Sequence, residues 1–200
     1  MANVRFRKKH VPRRRSDDVV LTPGRTVTQT VKRDGARVTI KQKMLSDGTV
    51  KTTVEAAHTL EADLQAEQVA RLKELPDYGA TFLLAGDQNA ARRGPVAAAE
   101  AKRTGMEAGE PDLRIYARGI AGVTVTVLIE NKNGGGYLSQ EQKDRHAALE
   151  RLGFPVYVIK TDDKDRAAKA AIAILRYEQG ERRAQLCPSE FPEVTRYAAP

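Results

Sequence analysis

Gly109-Glu110-Pro111-Asp112-Leu113, then the apolar run from Val123 to Ile129, then Glu130-Asn131-Lys132: the fold of this chain turns on how these segments pair. Asp112 to Tyr116 and Val123 to Ile129 both read as strands, rich in β-branched and apolar residues, and Arg118-Gly119-Ile120-Ala121-Gly122 reads as the turn between them. An antiparallel pair folded about a turn centred near Ala121 sets Asp112 almost opposite Glu130. Side chains alternate faces along a strand. Glu130 and Lys132 therefore share a face, while Asn131 points away and offers its backbone carbonyl. The pattern predicts that two carboxylates and an amine converge.

Such a trio has a chemistry. Hard cations such as Mg²⁺ take oxygen ligands, usually one or two carboxylates completed by waters and phosphate oxygens, and Asp112 and Glu130 could supply the protein's share. A cation held there lowers the pKa of a bound water and neutralises charge on a phosphodiester. Lys132 could orient or deprotonate that water, because a neighbouring cation disfavours the charged form of an amine. Taken singly, Pro111-Asp112 is an ordinary turn and Glu130 and Lys132 are a solvated strand end. The register is what joins them.

The residues around this hairpin predict helix (Leu60 to Leu75, stopped by Pro76), strand (Thr81 to Ala85), the Asp112 hairpin, helix (Ser139 to Leu152, ended at Gly153), strand (Pro155 to Lys160) and helix (Asp163 to Tyr177). Pro95 and Gly105 bracket a further short, Ala-rich helix in the connection before the hairpin. The order α-β-β-β-α-β-α is that of an α/β fold, a mixed sheet with helices on its faces. Residues 25–57 read as a separate three-stranded β meander. Asp34-Gly35 as a two-residue turn pairs Val31 with Val38 and Gln29 with Ile40. Ser46-Asp47-Gly48 as a three-residue loop with a left-handed Gly48 sets Met44 against Val50 and Ile40 against Val54. One face of this meander is thinly apolar and the other is Lys, Arg and Thr. It should dock on the following domain, on nucleic acid or on a second copy of the chain. Residues 1–24 then form a basic arm, 58–178 the main domain, and 179–200 a tail that wraps the surface or a partner.

Pro111-Asp112 followed by Glu130-x-Lys132 resembles the signature of the PD-(D/E)xK nuclease superfamily. More narrowly, the stretch from about Glu61 to Ala173 resembles the VRR-NUC (virus-type replication-repair nuclease) domain. The matching residues are Glu61-Ala62-Asp63-Leu64-Gln65, Asn89 with Arg92 or Arg93, Gly109-Glu110-Pro111-Asp112, Glu130-Asn131-Lys132, and Gly136-Tyr137-Leu138-Ser139-Gln140-Glu141-Gln142. The resemblance implies a restriction-endonuclease-like sheet and Mg²⁺- or Mn²⁺-dependent endonucleolytic cleavage of DNA, often branched or junction DNA. It implies catalysis by Asp112, Glu130 and Lys132, assisted by Glu61 and Gln142, and a homodimer with two active sites. Two positions depart from the family pattern: Asn89-Ala90-Ala91 where Asn-Gly is common, and Glu110 where an apolar residue is usual. Gln142 has a second reading as the N3 partner of a capping box begun by Ser139. Its place beside His146 and Leu149 on one helix face turns it toward the sheet. Glu61, in a first helical turn, also suits the helix dipole alone.

Charge is unevenly spread. Residues 1–54 hold 14 Lys and Arg against 4 Asp and Glu, a net +10; residues 55–200 hold 20 against 22, a net −2; together they make the chain's +8. Arg5, Arg7, Lys8, Lys9, Arg13, Arg14 and Arg15 come with no intervening acid, which reads as an arm that seeks polyanions, with Arg13, Arg14 and Arg15 as DNA contacts. Asn89, Arg92 and Arg93, just before the Pro-Asp pair, are further candidates for phosphate contact. A single cysteine, Cys187, forms no internal disulfide and no Cys/His cluster has zinc spacing, which suits a reducing compartment. No segment has the length and apolarity of a signal peptide or a membrane span, so the reading is a soluble, cytoplasmic protein with no membrane partner. His10, His58 and His146 show no nucleophile or ligand arrangement, and Gly134-Gly135-Gly136 lacks the Lys-Ser/Thr of a phosphate-binding loop. Three function classes stay open: a metal-dependent DNA endonuclease, a non-catalytic nucleic-acid-binding protein whose nuclease site has lapsed, and an RNA-directed or packaging-associated factor.

Overall fold

The computed structural model describes residues 22–33, 36–87, 95–119, 122–181 and 190–197. The chain divides into two compact units, Met1–Ala57 and His58–Pro200.

The first unit is a meander of β1 (Thr26–Arg33), β2 (Ala36–Met44) and β3 (Val50–Ala56), paired antiparallel in that order. Its registers are those the turns predict: Val31 faces Val38, Gln29 faces Ile40, Met44 faces Val50 and Ile40 faces Val54. The loop between β2 and β3 closes with the Leu45 N–H donating to the Thr49 carbonyl at 2.8 Å. Gly48 takes a φ of +85°, which a side chain resists. The Asp34-Gly35 turn lies outside the described residues. None of the described residues in this unit is buried. A three-stranded sheet with so thin an apolar face has no core of its own.

The second unit is built of α1 (Glu61–Lys73), β4 (Phe82–Gly86), α2 (Pro95–Arg103), β5 (Leu113–Arg118), β6 (Thr124–Lys132), α3 (Gln140–Arg151), β7 (Val156–Lys160), α4 (Lys164–Glu178) and β8 (Val194–Arg196). Its sheet runs β4-β5-β6-β7-β8 and is mixed: β6 and β7 are parallel and the other neighbours antiparallel. The parallel pair is the one joined through a helix, α3, as a parallel connection requires. Alternation divides the side chains between two cores. Leu113, Ile115, Val127, Ile129, Tyr157 and Ile159 pack with Leu64 and Leu72 of α1 and Ala167, Ala171 and Ile174 of α4, all 0–1 % exposed. On the opposite face, Leu128 and Val156 pack with Leu149 of α3.

The expected α/β architecture is present, with two additions. Where a terminal tail was expected, Val194–Arg196 adds an edge strand along β7, with Val194 opposite Ile159. Three residues just after Pro192 are too few for alternation to show in the sequence. The central strand also continues past Ile129 through Glu130-Asn131-Lys132, because β7 pairs with those residues as far as Lys132 opposite Lys160. The polar end of the run is therefore part of the ladder.

Candidate active site

Leu113 lies opposite Ile129, so the β5–β6 register is the one that sets Asp112 against Glu130. Asp112 sits just before β5 and is gripped from several sides. The Asn131 backbone N–H donates to its Oδ2 at 2.8 Å. Its own carbonyl accepts from the Asp87 N–H at 2.8 Å and from Gln65 Nε2 at 2.6 Å. Gly109, three residues earlier, has a φ of +82°, and a Cβ placed there would lie 2.4 Å from the Glu141 carbonyl oxygen and 2.8 Å from the Gln142 nitrogen. Only glycine lets this segment run against the first turn of α3. Glu110 is tied by Arg145 of α3 at 2.7 Å and Arg114 of β5 at 3.2 Å. Its charge braces helix to strand, a job an apolar residue would do by packing.

Glu130 and Lys132 point to the α3 face, as alternation requires. Glu130 is 1 % exposed and Lys132 7 %. Lys132 Nζ lies 2.6 Å from Glu130 Oε1 and 3.6 Å from Glu61 Oε2. Glu61 stands at the start of α1, so the helix dipole and this contact act on the same carboxylate. Gly136 leaves the space they occupy: a Cβ there would meet Glu61 Oε1 at 3.0 Å and Lys132 Cδ at 3.2 Å.

Gln142 closes a capping box and also reaches the sheet. Its Oε1 accepts from the Ser139 N–H at 3.0 Å, and Ser139 Oγ accepts from the Gln142 N–H at 3.2 Å, a complete capping box. Its Nε2 donates to Glu130 Oε1 at 2.5 Å. One amide therefore fixes the helix start to the buried carboxylate.

The electrostatics follow from crowding acids in a poorly solvated place. Burial, and then the charge of Glu130, push the Asp112 carboxyl up to about 7, with the Asn131 N–H and Lys132 pulling the other way. Burial pulls the Lys132 ammonium down, but its hydrogen bond to Glu130 and the charges of Glu130, Glu61 and Asp112 outweigh that and leave it raised. Lys132 is thus firmly protonated beside these acids. Among the described residues no group of three or more His, Cys, Asp or Glu side chains is set to hold a metal ion. The oxygens this corner of the fold presents are those of the Asp112 and Glu130 carboxylates; a cation that keeps several waters takes few ligands from a protein.

Three polar residues near the site were not assigned to it from the sequence. Gln65 holds the Asp112 carbonyl as above. Gln68, fully buried between Leu64 and Leu72 in an otherwise apolar stripe, exchanges hydrogen bonds with the Asn131 amide at 2.7 and 3.0 Å. A glutamine at spacing four from two buried leucines was the signal for it. His146, 0 % exposed, has Nε2 3.7 Å from Glu130 Oε2. Its spacing from Gln142 and Leu149 marked the face but not the contact. Of the other candidates, Arg13, Arg14, Arg15, Asn89, Arg92 and Arg93 lie outside the described residues.

No protein-family model matches the chain, and no curated protein matches it. Among solved structures, a protein titled "VRR_NUC domain protein" is similar at 25 % sequence identity, over 62 % of this chain and 88 % of that one, with a TM-score of 0.41. Among the described residues no helix is long and apolar enough to cross a membrane.

Proposed function

We propose that this chain is a Mg²⁺- or Mn²⁺-dependent DNA endonuclease that hydrolyses phosphodiester bonds at Asp112, Glu130 and Lys132. The observation that carries the reading is the meeting of these side chains at the β5–β6 hairpin: Lys132 Nζ touches Glu130 and feels Asp112, and Asp112 is raised first by burial and then by the Glu130 charge. A buried acid, Glu130, and a half-buried one, Asp112, that repel one another fit a cation's demands better than they fit a structural role. Asp112, Glu130 and the Asn131 carbonyl would hold it. When bound, such a cation supplies a nucleophilic water near neutral pH and charge neutralisation at the scissile phosphate.

The chain's own groups have separate tasks. Lys132, protonated beside the acids, holds and orients the attacking water. Gln142 and Glu61 are positioning residues: the first fixes Glu130 Oε1, the second holds the Lys132 ammonium in place. Arg13, Arg14 and Arg15, with Asn89, Arg92 and Arg93, supply phosphate contacts that are independent of sequence. Branched or junction DNA as substrate, and a homodimer making paired cuts, follow from the resemblance of the sequence motifs alone.

The test compares branched, single-stranded and duplex DNA with Mg²⁺, Mn²⁺ or EDTA. EDTA and Lys132→Ala are each expected to abolish cutting, and Lys132→Ala to leave binding nearly intact. Binding with no cleavage under any metal would overturn the reading in favour of a lapsed nuclease that only binds nucleic acid.

A further inference from the structure

His146 lies on the same face of α3 as Gln142, one turn further on, and its ring is wholly buried. Leu149 follows on that helix, and the Tyr197 ring meets the imidazole edge-on with centroids 5.5 Å apart. Tyr197 comes directly after β8 and is anchored by its N–H to the Val156 carbonyl at 2.8 Å. In these surroundings three side-chain atoms have no hydrogen-bond partner: His146 Nδ1, His146 Nε2 and Glu130 Oε2. Two of them, Nε2 and Oε2, face each other at 3.7 Å. The other oxygen of the same carboxylate, Oε1, is already taken by Lys132 and Gln142.

We infer that His146 is a positioning residue for Glu130, its Nε2–H donating to Glu130 Oε2. The inference rests on the nuclease reading above and adds to it the residue that aims its buried carboxylate. The chemistry favours this tautomer. Buried polar atoms in native proteins are almost always paired, and a shift of under about 1 Å closes the gap to a hydrogen bond. A proton on Nδ1 would instead set the Nε2 lone pair against a carboxylate oxygen. With Oε2 held by His146 and Oε1 by Gln142 and Lys132, the carboxylate is fixed in one orientation at the site. Carboxylates that ligate metals are commonly steadied in this way by a second hydrogen-bonding group. The terminal stretch gains a role as well, since Tyr197 covers the ring and keeps water from competing for its nitrogens.

The experiment uses the full chain with ¹⁵N-labelled histidine, at about pH 8, where an ordinary imidazole is neutral. The His146 signals are assigned by their loss in His146→Gln. A proton on Nε2 is expected, with its resonance moved by Glu130→Ala; a proton on Nδ1 would overturn the inference whatever the activity. Mn²⁺ affinity gives the second readout. His146→Phe fills the space without a donor and should weaken Mn²⁺ binding about 10- to 100-fold, the usual loss when a supporting partner of a metal ligand goes. His146→Gln, which keeps a donor, should recover most of that. Equal affinity in His146→Phe and the unsubstituted chain would defeat the inference and leave the nuclease reading standing. If the unsubstituted chain takes up no Mn²⁺, both fall together.

Discussion

Asp112 is held where a negative charge is costly. Its carboxyl, pushed up to about 7 by burial and by Glu130, binds a proton in the folded chain that an unfolded chain gives up near 4. A group whose folded pKa is raised stabilises the fold fully below its unfolded value, and that contribution is lost as pH rises through the folded value. Without metal, thermal stability should therefore fall as pH rises from about 4 to 7. Scanning calorimetry in EDTA should show this slope, Asp112→Asn should flatten it, and Mg²⁺ should restore stability at the upper end. A slope unchanged by Asp112→Asn would contradict the placement of this group. The Gln68–Asn131 pair makes a second prediction at this scale. Gln68→Leu strips the buried Asn131 amide of both hydrogen bonds to Gln68 and should cost about 1–3 kcal/mol in urea unfolding, with the midpoint moving and the slope unchanged.

At the scale of elements, the first turn of α3 combines two functions that substitutions can separate. Ser139→Ala removes the cap and should lower stability by about 1 kcal/mol while leaving Mn²⁺ affinity within a small factor. Gln142→Glu keeps an N3 side chain able to complete the capping box but puts an acid beside Glu130. It should disturb metal binding more than folding. If both variants change the two quantities in parallel, the cap and the site are not separate. Gly109→Ala should harm both, because its Cβ would strike the Glu141 carbonyl. The elements that sequence reading located well were those whose signals are local. The register of β5 and β6 followed from one turn, and the meander registers from Gly35 and Gly48. Asp112, Glu130, Lys132 and Gln142 were legible because a strand period, a turn centre and a capping pattern each constrain where a side chain points. Gln65, Gln68 and His146 were not assigned, because what they touch is decided by α1 and α3 crossing the sheet. β8 escaped for a related reason: a three-residue edge strand exists only because β7 is there to pair with.

At the scale of the whole chain, charge and chemistry are carried by different parts. The first 54 residues hold a net +10 and the rest a net −2, so under the proposed function attraction to DNA would belong to the N-terminal part of the chain and bond cleavage to Asp112, Glu130 and Lys132 after it. Deleting residues 1–20 should weaken duplex binding and flatten its dependence on salt. Affinity unchanged by that deletion would remove the arm from the account. The account's central claim is that one divalent cation sits between Asp112 and Glu130, and anomalous diffraction from crystals soaked in Mn²⁺ tests it most directly. A manganese peak within coordination distance of both carboxylates, lost in Asp112→Ala, is the predicted result. Clear density for both side chains with no peak between them, or a peak that survives Asp112→Ala, would contradict it.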